Sequence, residues 1–257
     1  MRKYFLVGIV FFTVFFRLSG QPVIYTVANA HAHNDYVHPH PFFTAYEAGF
    51  GSIEADIFLF NNQLLIGHDS ADLVANRTLE HYYLKPLDSC IKRHKGSVYS
   101  VAGKKLVLLI DIKTRAIETL DKLIQLLKNY PAITDCPTLK VVITGNRPSP
   151  ALYVNYPSFI WFDGILSDHY ETPALSRIVM MSDDLKKYTN WTAISPIPDA
   201  DEKKLQAIIE KMHQLQKPVR FWNAPDTRAF WKQLIKLGAD YINTDHIPEL
   251  AAFLNDK

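Results

Sequence analysis

Residues 105–112 (KLVLLIDI) constrain the fold of this chain more than any other segment. The run is short and almost continuously apolar, so it reads as a strand buried on both faces, as in parallel sheets covered on both sides. Similar strand-like runs occupy residues 23–30, 52–58, 139–144, 164–167, 177–181, 219–222 and 241–244. Segments of helical character lie between them, at residues 42–48, 79–93, 117–128, 202–216 and 227–237. In 202–216 the apolar positions Leu205, Ile208, Ile209 and Met212 form the i, i+3, i+4, i+7 stripe of one helix face. Parallel strands need long crossovers, and strands alternating with helices are how a parallel sheet is wrapped. About eight strand candidates in a chain of this length predict the α/β class and a single (β/α)8 TIM-type barrel. No linker, repeat or low-complexity stretch divides it.

The first twenty residues stand apart from this rhythm. Arg2 and Lys3 precede an apolar run over residues 4–16, and Ser19-Gly20 follow it. A basic start, a short apolar stretch and a small residue at the end fit a secretory signal, since a membrane span needs about twenty apolar residues. The expectation is therefore a signal peptide over 1–20, a barrel domain over 21–257, and a secreted or periplasmic protein. The alternative is an uncleaved segment that anchors the domain to a membrane. Cys90 and Cys136 are too few for a disulfide scaffold and read as buried thiols. A formal charge of +2 gives no reason to expect a nucleic-acid binder, which would need a clustered basic face. Oligomeric state is not legible.

Functional groups of such barrels gather where strands end in βα loops, and the strand ends here are polar. Glu54 and Asp56 lie two apart on one strand, so both side chains point to one face. Paired carboxylates there repel and lose hydration, and a divalent cation with a preference for oxygen supplies the counter-charge. Asp111, at the end of the next barrel strand, completes the set, with Mg²⁺ or Ca²⁺ as the expected ion. The competing reading gives one carboxylate to a helix cap and the other to Lys113.

Histidines crowd the same region: His31, His33, His38 and His40 in one short stretch, then His68. Imidazole takes and returns a proton near neutral pH, so two histidines flanking a phosphate suit general base and general acid roles. Four clustered histidines also admit a zinc site, although no H-E-x-x-H spacing occurs and the carboxylates favour a harder ion. His38 and His40 flank Pro39 and read as surface loop. Lys113 supplies positive charge for an anionic transition state, or else simply pairs with a neighbouring acid.

These residues resemble the phosphatidylinositol-phospholipase-C-like phosphodiesterase superfamily. His33-Asn34-Asp35-Tyr36 looks like the histidine–asparagine signature of the phospholipases. Ile53-Glu54-Ala55-Asp56, followed by Gly67-His68-Asp69, is similar to the E-x-D…H-D pattern of glycerophosphodiester phosphodiesterases. Ile110-Asp111-Ile112-Lys113-Thr114 is close to the D-x-K-T of sphingomyelinase D. Phe221-Trp222-Asn223 and Ile242-Asn243-Thr244-Asp245 resemble the last two barrel strands of the glycerophosphodiesterases. The AHAHNDY opening most resembles the group named for altered inheritance of mitochondria.

The resemblance implies His33 and His68 as catalytic histidines, and Glu54, Asp56 and Asp111 as metal ligands with Asn34 as a fourth. It further implies Lys113 on phosphate and Trp222 lining the pocket. Sphingomyelinase D has a histidine and an asparagine three apart, which His31 and Asn34 also satisfy, so His31 stands as the alternative to His33. The chain lacks the Arg of the glycerophosphodiesterase His-Arg-Gly and has Asp111 where they carry Glu; both lean toward the sphingomyelinase D or phospholipase branch. The implied activity is metal-dependent hydrolysis of a small phosphodiester or phospholipid headgroup, with transient membrane-surface contact. Two other readings remain open: a barrel that binds phosphodiesters without turning them over, and a zinc hydrolase built on the histidine cluster.

Overall fold

Side-chain parity along the longest strands explains the architecture. In a computed structural model describing residues 24–256, β2 (Ser52–Phe60) and β4 (Leu106–Ile112) run parallel, with Ile53 beside Leu108 and Asp56 beside Asp111. Their even and odd positions face opposite sides, so Ile53, Ala55, Ile57, Leu108 and Ile110 join the large outer core. The other parity faces the barrel axis. The proposed signal peptide, residues 1–20, lies outside the described residues.

The remaining strands are β1 (Ala30–Ala32), β3 (Gln63–Ile66), β5 (Leu139–Gly145), β6 (Ile160–Ile165), β7 (Ile178–Asp184), β8 (Val219–Trp222) and β9 (Ile242–Thr244). Their order is β8-β7-β6-β5-β4-β2-β1-β9, all neighbours parallel, with β3 attached antiparallel to β2. Eight parallel strands thus make a nearly closed TIM-type barrel, and β3 is an added arm. Between β8 and β9 the ring closes through one bridge, Arg220 with Tyr241.

Helices cover the outside. They are α1 (Phe43–Ala48), α2 (Lys85–Arg93), α3 (Ala116–Leu127), α4 (Pro131–Thr134), α5 (Thr172–Leu175), α6 (Asp199–Gln214), α7 (Arg228–Leu237) and α8 (Ile247–Asn255). The Thr227 side chain accepts from Phe230 N to start α7, which buries Phe230, Trp231, Leu234 and Leu237. Gly238 then stops it at φ 93°, a left-handed position that suits glycine.

Two strands are displaced most clearly from the sequence expectation. Residues 27–29 form a 3-10 turn rather than strand, because Thr26 and Asn29 cap each other: Ala28 N donates to Thr26 Oγ1 and Thr26 N to Asn29 Oδ1. Such local bonds compete with a sheet ladder, and β1 begins only at Ala30. The strand expected at 164–167 instead spans Ile160–Ile165, where Ile160, Trp161 and Phe162 favour extended backbone.

The barrel interior is layered. Near the strand starts, Val107, Leu109, Val142 and Met180 form a small apolar cluster with Trp161 and Tyr241 packed on it. Above it the interior turns polar: His31, Ser52, Glu54, Thr144, Asp163, Ser182 and Arg220 are all buried. The seam between β8 and β9 is held from outside the ladder as well. Asp240 Oδ2 accepts from Val219 N at 2.7 Å and meets His213 Nε2 at 2.8 Å, while Asp240 N and Tyr241 N both donate to Val219 O. Replacing Asp240 with Ala strands two buried polar partners, so urea unfolding should show a loss of roughly 2–3 kcal/mol. A midpoint unchanged from the parent would show that the seam does not depend on this carboxylate.

Candidate active site

Strand register brings the acidic side chains together. Glu54 and Asp56 share the inward face of β2, and Asp111 pairs with Asp56 across the β2–β4 ladder. Carboxylate oxygens of all three lie within 4.8 Å of one another. The opposing cations come from two directions. Arg220 Nη1 donates to Glu54 Oε2 at 2.7 Å, and Lys113 Nζ lies 3.1 Å from Asp56 Oδ2 and 2.7 Å from Asp111 Oδ2.

His68 arrives by the β2–β3 hairpin. Asn61 (φ 46°) and Asn62 (φ 62°) form the two-residue turn between Phe60 and Gln63, and both occupy the positive-φ region that such turns demand. The hairpin folds the chain back so that Gly67 N donates to Asp56 O, and His68 Nδ1 sits 3.4 Å from Asp56 Oδ2. His33 follows β1, with its amide bonded to Thr244 O and its Nδ1 2.8 Å from Asp245 Oδ1. A buried carboxylate fixes the loop after it. Asp35 Oδ2 accepts from Tyr83 Oη and from Phe42 N, the latter at the centre of a tight turn with φ 65° closed by Phe43 N to Pro41 O.

The electrostatics separate these groups. Burial pushes the Glu54 carboxyl up, but Arg220 and the His31 contact outweigh it and hold it well below the carboxylate range. Burial lowers His31 to about 3, with Arg220 adding to the effect, so its imidazole is neutral. Asp56 behaves oppositely: burial first, then the charge of Glu54, raise it to about 6 against the pull of Lys113. For His33, burial is outweighed by the Asp245 bond and the nearby carboxylates, which raise its pKa above the ordinary imidazole value.

His33, His68, Glu54, Asp111, Lys113 and Trp222 line one cavity of about 460 Å³ at the C-terminal mouth of the barrel. Asp56 is buried behind its wall among Tyr36, His68 and Lys113. Asn34 stands on the loop beside it. Its Oδ1 lies 2.8 Å from Tyr36 Oη, which is also 2.8 Å from Asp56 Oδ2, and its Nδ2 reaches Asp245. His31 is one layer deeper, fully buried between Ser52 Oγ and Glu54, and reaches no part of the cavity wall. His38 and His40 sit on the loop, apart from the cavity, as expected.

The acidic group fits a hard divalent cation. Asp56 Oδ1 and Asp111 Oδ1 are both buried and have no hydrogen-bond partner among the described residues, an arrangement that is costly unless a cation satisfies them. Space is kept for Asp111 Oδ1 by Gly145 (φ 68°), where a Cβ would lie 1.9 Å from that oxygen. Among the described residues the one group with metal-ligand geometry contains no histidine. All-oxygen donors favour Mg²⁺ or Ca²⁺ over zinc.

Several residues of the site escaped the sequence reading. Arg220 and Asp163 are charged positions inside otherwise apolar strand runs, V-R-F-W and I-W-F-D-G-I, and that interruption was the available signal. Asp163 accepts from Thr144 Oγ1 and Ser182 Oγ, and burial raises its pKa despite Arg220 and Arg147 nearby. In the sequence Asp245 stands out only as the end of the Ile242-Asn243-Thr244-Asp245 motif.

A family described as the AIM6-like phosphodiesterase domain matches residues 23–134, and one described as the glycerophosphoryl diester phosphodiesterase family matches 218–248. These matches support a place in the PLC-like phosphodiesterase superfamily. The curated proteins it resembles carry the altered inheritance of mitochondria name. An altered inheritance of mitochondria protein 6 homolog from Arthroderma benhamiae is 28% identical over 257 residues, covering 84% of this chain and 81% of the relative. The altered inheritance of mitochondria protein 6 of Eremothecium gossypii is 27% identical over 271 residues, covering 88% and 69%.

Among solved structures, a calcium-dependent phosphoinositol-specific phospholipase C from Pseudomonas sp. superposes with TM-score 0.58 at 9% identity, covering 86% of this chain and 89% of that one. A glycerophosphodiester phosphodiesterase from Parabacteroides distasonis gives 0.55 at 12% identity, covering 90% and 96%. At such identities the shared property is the fold.

The raised carboxyls make a testable statement. A carboxyl whose pKa is higher folded than unfolded favours its protonated form in the fold. Its contribution is therefore full below the unfolded value near 3.8 and is lost as pH rises through the folded value, about 6 for both Asp35 and Asp56. In EDTA the melting temperature should therefore decline between about pH 4 and pH 6 on account of these groups. Adding Mg²⁺ or Ca²⁺ should raise it more above pH 6 than at pH 4, where protonated Asp56 competes with the ion. Equal shifts at both pH values would argue against binding at Asp56.

Proposed function

We propose that this chain is an exported, divalent-cation-dependent phosphoric diester hydrolase acting on a glycerophosphodiester or phospholipid-type headgroup. The observation that carries the reading is the pair of unpartnered carboxylate oxygens on Asp56 and Asp111, set beside a cavity that His33, His68 and Lys113 line. The basic and apolar N-terminal run supports export.

In this reading His33 takes the proton of the attacking oxygen. Asp245, on its Nδ1, orients the ring and stabilises the imidazolium that forms, which accords with the raised His33 pKa. His68 returns a proton to the leaving oxygen. Lys113, fixed by Asp56 and Asp111, brings its charge to the phosphate. Glu54, Asp56 and Asp111 would hold a divalent cation, which would supply further positive charge for the phosphate. Where the substrate carries a hydroxyl beside the ester, that hydroxyl attacks and a cyclic phosphate forms; otherwise water attacks. Trp222 stands at the cavity rim, 39% exposed, where it meets the substrate arm.

Hydrolysis of a chromogenic phosphodiester should stop in EDTA and return with Mg²⁺ or Ca²⁺. His68→Ala should lower kcat by about 10²- to 10⁴-fold while the protein still folds; undiminished turnover would remove His68 from the chemistry. The base must be neutral to act, so kcat/KM should rise with pH through the raised pKa of His33. Asp245→Asn takes away the charge that raises it and should move that acid limb to lower pH. A limb that stays in place would assign the base to another group.

A further inference from the structure

Beside the catalytic cavity lies a second depression of about 630 Å³, and the two share Gly145, Arg147 and Ile165 as a common wall. Arg147 follows β5 and is held on that wall by donating from Nη1 to the Asp163 carbonyl. It forms no ion pair with any carboxylate among the described residues, so its charge faces both spaces. In the second depression it is joined by Arg115, whose side chain is 87% exposed and is engaged only by Glu118 at 3.3 Å. Helix α3 also opens there at Ala116 with no side-chain cap, adding the partial positive charge of its first turn. Asp168 is the single acidic residue among those lining it.

We propose that this depression is a second anion subsite, continuous with the catalytic cavity, that reads a phosphate or carboxylate on one arm of the substrate through Arg147 and Arg115. The inference rests on the phosphodiester reading of the first cavity and narrows its substrate class to diesters with an additional acidic group. Guanidinium groups suit this task because they hold their charge at all working pH values and meet planar or tetrahedral oxyanions in a fork. An uncharged arm would leave Arg147 with its one backbone bond. An acidic arm gives it a charge-assisted partner, and the contiguity of the spaces lets one molecule occupy both.

The test is calorimetric titration of the protein, with Ca²⁺ or Mg²⁺ in excess over ligand, using α,ω-alkanediol bisphosphates of increasing length and the matching alkyl monophosphates. At one length the bisphosphate should bind about tenfold tighter or better than its monophosphate. Arg147→Gln and Arg115→Gln should each reduce that preference, and Arg147→Lys, which keeps the charge, should retain part of it. Circular dichroism confirms folding of each variant. Absence of a preference at every length, or a preference that survives both glutamine variants, would overturn the subsite. Turnover separates the two claims: 4-nitrophenyl phosphodiesters with a propyl or a 3-phosphopropyl arm should differ in KM in the same sense. If neither ester is hydrolysed while the bisphosphate preference and its loss in the variants persist, the hydrolase reading falls and the subsite stands.

Discussion

The rest of the molecule is arranged around one buried ion pair, Glu54 with Arg220. Both side chains are almost wholly excluded from water, and dehydrating either alone would be costly. They reach each other only because β2 and β8 stand on different sides of the barrel and both point inward at the same height. The neutral His31 packs against both, 2.7 Å from Glu54 and 2.5 Å from Arg220, with Ser52 at its other nitrogen. One contact thus crosses the barrel interior, keeps Glu54 ionised, and ties the last strands to the acidic centre. Asp56 and Asp111 sit one step higher, where Lys113 is the neighbouring cation and two oxygens are left over. Charge is therefore settled deep in the barrel and left unsettled at its mouth.

Much of this was legible in the order of residues. The alternation of apolar runs with helical stripes is enough for a parallel barrel, and a two-residue spacing is enough to put Glu54 and Asp56 on one face. The hairpin that returns His68 to Asp56 is also local information, since Asn61-Asn62 accept positive φ readily. What stayed hidden depends on depth. His31 and His33 share a face, and only strand register shows that one lies in the closed interior and the other at the cavity. Arg220 hid for a related reason: one charge in a four-residue apolar strand says nothing of its partner until the barrel brings β2 across from β8. The start of β1 was obscured by Thr26 and Asn29, whose mutual cap is stronger than the strand tendency of the residues they enclose.

The fold also divides labour between its two ends. Apolar packing and the β8–β9 seam, with Asp240 bridging His213 and Val219, occupy the strand starts. The strand ends and the loops that follow them carry His33, His68, Asp111, Lys113 and Trp222. Changes in the loops can retune recognition without disturbing the closure of the ring, which is the general advantage of barrels.

Gly145 extends this division to the reading of other sequences. Its missing side chain is the space that Asp111 Oδ1 uses, so the position works as a negative print of the acidic centre. A barrel of this kind with any larger residue there must turn its aspartate aside, whether or not all three carboxylates remain in the sequence. The smallest residue at the mouth is thereby a more economical marker of an intact centre than the charged residues themselves.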